Sequence, residues 1–148
     1  MKLSERAIGQ VWSPARSQLY AVLNRLSKGG LARRRRVAQQ TRPDKQLYRI
    51  TDAGRRALDG WLTTLERDDD AFYLKLFVGG LTTDDVLVEQ VERYRDRQKA
   101  RLEELRNLDQ TNTRTGHDYY HGFLLDLGLE RARESVRWAN RVLAELRR

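Results

Sequence analysis

No cysteine occurs in the chain, which excludes disulfides and thiolate metal sites and fits a reducing compartment. Proline is scarce, at two residues in 148, so little interrupts the apolar periodicities of a charge-rich chain, and a mostly helical fold is expected. No apolar stretch reaches 18 residues, so no membrane-spanning helix is expected. Lys2 and Arg6 are not followed by an apolar run, which leaves no signal peptide to read and makes the cytoplasm the expected location. Catalytic patterns are missing as well: there is no Ser-centred elbow and no phosphate-binding glycine loop. His117 and His121 sit four apart around Asp118, a spacing that lets both imidazoles reach one metal. They have no third ligand, however, and HDYYH is not HExxH, so they read better as polar surface or interface. Asp68, Asp69 and Asp70, like Asp84 and Asp85, read as helix caps rather than as catalytic acids. Neither an enzyme, nor a cofactor, nor a metal is expected.

What the chain does have is positive charge, unevenly placed. The formal net charge is +8. Residues 1–67 carry 15 Lys/Arg against 5 Asp/Glu, whereas residues 68–148 carry 14 against 16. A basic first half on a slightly acidic second half points to a polyanion-binding module, residues 1–67, joined to a second module, residues 68–148. The boundary falls at Asp68, where composition turns from basic to acidic.

The first module is organised around residues 13–30, SPARSQLYAVLNRLSKGG. Ser13 is a good N-cap, Pro14 suits the first helical position, and Gly29-Gly30 can supply the left-handed residue that stops a helix. Leu19, Val22, Leu23 and Leu26 share one face. Ser17, Tyr20, Ala21, Asn24 and Lys28 form the opposite face, with Arg16 and Arg25 at its margins; a DNA major groove admits such a small, polar helix face. A short helix over residues 3–11 and a turn at Trp12-Ser13 precede it, completing a helix–turn–helix. Residues 31–38, LARRRRVA, then read as a strand, residues 39–46 as a turn centred on Pro43-Asp44, and residues 47–50, LYRI, as the returning strand. The ribbon carries Arg33 to Arg36 at its base and Arg42 and Lys45 at its tip, and can reach phosphates or a minor groove. Because strand side chains alternate, at most about half of these cations can contact one surface. Thr51-Asp52 caps a further helix through Ala57, Leu58, Trp61, Leu62 and Leu65.

The second module opens on the apolar, aromatic run 71–78, closed by Gly79-Gly80. A long helix follows from Thr82 or Thr83 to about Leu108, then a polar connection, 109–116, then a last helix over about 117–146. In that helix Leu125, Leu129, Ala132, Val136, Ala139, Leu143 and Leu146 recur at alternating four and three, a heptad seam. Such a seam can pair within the chain or between chains. In a symmetric dimer it would set two recognition helices about 34 Å apart, as successive major grooves require.

The run SPARSQLYAVLNRLSKGGLARRRR…RPDKQLYRITDAGRRALDGWL resembles the winged helix-turn-helix domain of the PadR family of bacterial transcriptional regulators. FYLKLFVGGLTTDD and the two long helices after it resemble the C-terminal helical domain of that family's longer, virulence-activator-like branch. The resemblance implies a mainly α protein: a winged helix-turn-helix with a two-stranded wing, followed by a helical dimerisation domain. It implies a homodimeric, sequence-specific DNA-binding regulator, commonly a repressor, often released by a small aromatic effector. Carried over by position, Arg16, Ser17, Tyr20 and Asn24 are the base-reading candidates, and Arg25, Lys28, Arg35, Arg42 and Lys45 the phosphate candidates. The seam becomes the dimer candidate. Tyr119, Tyr120, Phe123 and Trp138 become candidates for an effector pocket, beside the plainer reading of core and interface packing. Family members have a helix before the one that begins this chain, so the apolar faces at 19–26 and 57–65 are expected to lack one packing partner. The alternative function is an interaction protein that dimerises without binding DNA.

Overall fold

The computed structural model describes residues 16–38, 45–65 and 69–148, with the Arg16 side chain also outside the description. The expected short helix at 3–11, the Ser13-Pro14 cap, the turn at 39–44 and Asp68 lie outside the described residues. The chain forms two compact units, residues 1–64 and 65–148.

In the first unit, helix α1 spans Arg16–Lys28 and strands β1 (Ala32–Val37) and β2 (Lys45–Ile50) form an antiparallel two-stranded sheet, followed by α2 (Asp52–Thr63). α1 ends as its sequence demands: Gly29 N donates to Arg25 O at 2.9 Å, and Gly30 takes φ +73°, a left-handed conformation that glycine adopts without a Cβ clash. Leu31 N then reaches back to Leu26 O at 2.9 Å. The apolar face of α1 is only half covered. Leu23 and Leu26 are partly buried, whereas Leu19 and Val22 remain 44% and 40% exposed.

The junction between wing and α2 is the tightest point of this unit. Thr51 N donates to Leu31 O at 3.1 Å, and its hydroxyl donates to Gly30 O at 2.7 Å while accepting from Gly54 N at 3.0 Å. One side chain thus caps α2 and holds the turn that leaves α1. Gly54 is buried against that turn. A Cβ there would lie 2.1 Å from Leu31 O and 2.8 Å from Ile50 Cγ1.

The second unit holds α3 (Asp69–Phe77), a short 3₁₀ turn (Gly79–Leu81), α4 (Asp84–Thr111) and α5 (His117–Leu146). Thr83 caps α4 by accepting from Val86 N, with Asp84 and Asp85 in the first turn, where negative charge is favoured. α4 and α5 pack along one another. Their core has two parts: Phe72, Val91, Tyr94, Ala139 and Leu143 at one end, and Leu102, Leu129 and Ala132 at the other. The Phe72 and Tyr94 rings stack at 4.4 Å, with Trp138 edge-on to both. Tyr73 and Tyr94 share a hydrogen bond between phenol oxygens 3.1 Å apart, and burial pushes the Tyr73 phenol above its ordinary range. Asp69 ties the start of α3 to α4 through Arg97 Nη2 at 2.9 Å and Gln98 Nε2 at 3.1 Å. The α4–α5 connection is pinned by Arg114, which takes φ 55° and donates to Asp126 at 3.1 Å and to Asp109. That guanidinium holds the Asp126 carboxyl below the usual carboxylate range.

Much of the heptad seam packs within the chain. Leu129, Ala132, Ala139 and Leu143 are buried inside a single chain, and Leu125, Val136 and Leu146 are partly buried. Heptad spacing records that a helix packs on a helix, and here Leu129, Ala132, Ala139 and Leu143 pack in cores shared with α4 and, at one end, α3. No helix among the described residues is long and apolar enough to cross a membrane.

Gly54→Ala is expected to lower stability by at least the 1–3 kcal/mol typical of overpacking, since the obstructing atom is a backbone carbonyl that cannot step aside. Chemical denaturation followed by circular dichroism checks it; an unchanged midpoint would show that the junction relaxes freely.

Candidate nucleic-acid interface

Ser17, Tyr20 and Asn24 all stand on the exposed side of α1, with Tyr20 56% exposed. Arg25 and Lys28 are exposed in the last turn, where cations also complement the carbonyl end of the helix dipole. Arg35 and Lys45 are exposed on the wing. Two candidates cannot be placed: the Arg16 side chain and Arg42 lie outside the described residues.

Asn24 behaves differently from the other base-reading candidates. Its Oδ1 accepts from Arg34 Nη1 at 3.4 Å and from Tyr48 OH at 3.3 Å. Both donors belong to the wing. Bidentate recognition of adenine needs the carboxamide oxygen and nitrogen together, and the oxygen is here engaged by the sheet. Asn24 thus joins α1 to the wing. Sequence reasoning missed this link, because a helical wheel shows only that Asn24 points away from Leu23 and Leu26, not that a sheet lies on that side.

The electrostatics of this surface are one-sided. From Arg16 to Thr51 the sequence has ten Lys/Arg and a single acid, Asp44. Arg33 lies directly opposite Arg49, Arg34 opposite Tyr48, and Arg35 opposite Leu47. Like charges directly opposite each other in an antiparallel pair destabilise it. Neither Arg33, Arg35, Lys45 nor Arg49 meets a carboxylate among the described residues. The arrangement can attract and hold a polyanion; among the described residues no group of three His, Asp or Glu could bind a metal.

The aromatic candidates of the second unit separate into two places. Trp138 sits in the Phe72–Tyr94 core. Tyr119, Tyr120 and Phe123 cluster with one another near the start of α5, their rings 5.1–5.4 Å apart. Fifteen residues separate Phe123 from Trp138 along one helix, about 22 Å at the helical rise, so the four do not line one pocket. Tyr119 and Tyr120 instead border an open recess of about 640 Å³ with Arg114, Thr115, Gly116 and His117.

The profile of the PadR-like transcriptional regulator family matches residues 1–60, and that of the virulence activator alpha C-terminal domain matches residues 70–147. The negative transcriptional regulator PadR of Bacillus subtilis is 28% identical over 148 residues, spanning 93% of this chain and 81% of its own. A crystal structure of Bacillus subtilis PadR aligns with TM-score 0.50 at 25% identity, over 95% of this chain and 80% of that one. A crystal structure of the same protein with operator DNA aligns with TM-score 0.48 at 27% identity, over 94% and 84%.

A double-mutant cycle of Asn24→Ala and Tyr48→Phe, read from unfolding without DNA, is expected to give a coupling of about 0.5–1 kcal/mol. Strictly additive effects would remove the helix–wing link.

Proposed function

The chain belongs to the PadR-like family of transcriptional regulators, and from that membership we propose that it is a sequence-specific DNA-binding repressor that acts as a homodimer in the bacterial cytoplasm. The observation that carries this reading is the exposed helix face of Ser17 and Tyr20 beside a strongly basic wing, on which Arg33, Arg35, Lys45 and Arg49 are exposed. Tyr20 and Ser17 would read base edges in the major groove, while Arg25, Lys28, Arg35, Arg42 and Lys45 would neutralise phosphates. Arg16 would join the base readers and Asn24 would set the angle of the wing.

For the dimer, α5 offers a second apolar stripe. Tyr119, Tyr120, Phe123, Leu124 and Leu127 are all about half exposed or more, reaching 70% at Leu124. They recur along the side of α5 turned away from Gly122 and Leu129, which are buried. Between His117 and Leu129 the only acids or full cations are Asp118 and Asp126, whereas the rest of α5 is densely charged. A bare aromatic stripe of this kind exceeds the scattered exposure of a monomer surface, and its lack of net charge suits self-association. The recess at Arg114, His117, Tyr119 and Tyr120 adjoins it and is of a size for a small aromatic effector. An effector held there would act on the dimer contact and so on the spacing of the two recognition helices.

Binding to the DNA upstream of the protein's own gene is expected to exceed binding to a random duplex of equal length by about 10³-fold or more. Ser17→Ala with Tyr20→Ala is expected to erase most of that preference while leaving the random-duplex affinity nearly unchanged. A folded dimer with no preference would instead be the interaction protein that dimerises without reading DNA. For the stripe, Leu124→Glu should convert the dimer to a monomer in sedimentation velocity without loss of helicity; a variant that still sediments as a dimer would place the contact elsewhere.

A further inference from the structure

The chain has two histidines and no cysteine, so its imidazoles are the best donors it can offer a divalent transition-metal ion. Both lie in the first turns of α5, four residues apart, where a helix sets side chains on one face. His117 and His121 are exposed, and their rings lie within 22° of parallel with centroids 6.5 Å apart. The structure adds a brace that the spacing alone does not show. Asp118 Oδ2 accepts from Thr113 Oγ1 at 2.8 Å, which ties the first turn of α5 to the connection before it. Asp118 Oδ1 stands 3.7 Å from His121 Nδ1. A carboxylate beside Nδ1 favours the tautomer with its proton there, and so leaves the Nε2 lone pair for a metal. Arg114 borders the same recess as His117. It donates to Asp109 and Asp126, and these carboxylates offset a charge that would otherwise repel a cation.

We propose that His117 and His121 form a two-imidazole chelate for a divalent transition-metal ion of the nitrogen-preferring class, such as Zn(II) or Ni(II), with Asp118 as a positioning residue. Four residues is the spacing that lets two helical imidazoles reach one ion. Because both side chains are exposed, small rotations about their side-chain bonds close the pair onto it. Two protein ligands leave the ion's other positions to water, so the site is exchangeable, unlike the closed four-ligand sites that hold structural zinc. Oxygen-preferring ions such as Mg(II) find little here, since the carboxylate between the two histidines is held by Thr113. A pair that served only as polar surface would need neither the shared face nor the brace. The inference stands independently of DNA binding.

Isothermal titration calorimetry of the full chain with Zn(II), on protein carrying no polyhistidine tag, tests the pair. Wild type is expected to bind one ion per chain. H117Q and H121Q are each expected to abolish that binding at concentrations that saturate wild type, because a chelate fails when either arm is lost. Two imidazoles acting separately would instead give two ions in wild type and one in each variant. D118N is expected to weaken binding by about 10–100-fold, the usual cost of removing a carboxylate that orients a ligating histidine. Mg(II) in place of Zn(II) should give no binding heat. Circular dichroism should show unchanged helicity in H117Q and H121Q, since both side chains are exposed. No binding by wild type, two ions per chain, or binding retained by either single histidine variant would overturn the chelate. Wild-type affinity in D118N would overturn the brace.

Discussion

The Thr51 hydroxyl joins three parts of the first unit at one point. It caps α2 by accepting from Gly54 N and holds the turn after α1 by donating to Gly30 O, while Thr51 N closes onto Leu31 O. Gly54 must lack a side chain for these to coexist, because the Leu31 carbonyl occupies the space a Cβ would take. This matters because the described residues of the unit bury little apolar surface. Leu62 is the only buried apolar side chain among its described residues. With so little burial to fix the elements, a few directional polar contacts decide how the wing sits on the recognition helix: Thr51 at the base and Asn24 further out. Hydrogen bonds of this kind contribute modest net stability, about 1 kcal/mol each, yet they set geometry, and a DNA reader depends on geometry.

The second unit is built in the opposite manner. Aromatic stacking around Phe72, Tyr94 and Trp138 and a run of small and branched residues along α4 and α5 supply burial, while ion pairs such as Arg97–Asp69 and Arg114–Asp126 fix the ends. Gly122 is buried against Arg114, where a Cβ would meet Nη1 at 2.8 Å. The guanidinium can therefore lie along α5 and reach Asp126 while its backbone turns through the connection.

Local signals made much of this legible. The caps at Thr51 and Thr83, the stop at Gly29-Gly30, the four-arginine strand and the limits of the last helix all follow from short-range chemistry, and the structure places them where the sequence does. The partner of each face was not legible. A heptad seam states a period, not an owner, so Leu129, Ala132, Ala139 and Leu143 read equally well as a dimer contact until α4 is seen to cover them. The same limit applies to the aromatics. Tyr119, Phe123 and Trp138 share a helix and a residue class, but the helical rise parts them by several turns and gives Trp138 to the core. Asn24 shows it at the candidate interface: its outward direction was readable, whereas its engagement by Tyr48 and Arg34 depends on a strand register 10 to 24 residues away.

The contrast between the two units carries a consequence for energetics. The first unit sets like charges against each other across its sheet, so its free form holds electrostatic repulsion. A polyanion bound to the folded form alone stabilises that form by mass action, and it does so most where the repulsion is greatest, on the wing. With the wing on phosphate as proposed, neutralising its cations would make the free unit more stable and the complex weaker at the same time. The second unit has no such stake in the polyanion, since its acids and cations are close to balanced and largely paired within its own helices. On the proposed function, stability and DNA affinity would thereby be separable by position: changes in the α4–α5 core would act on the fold of the second unit, and changes on the wing would trade the stability of the first against its grip on phosphate.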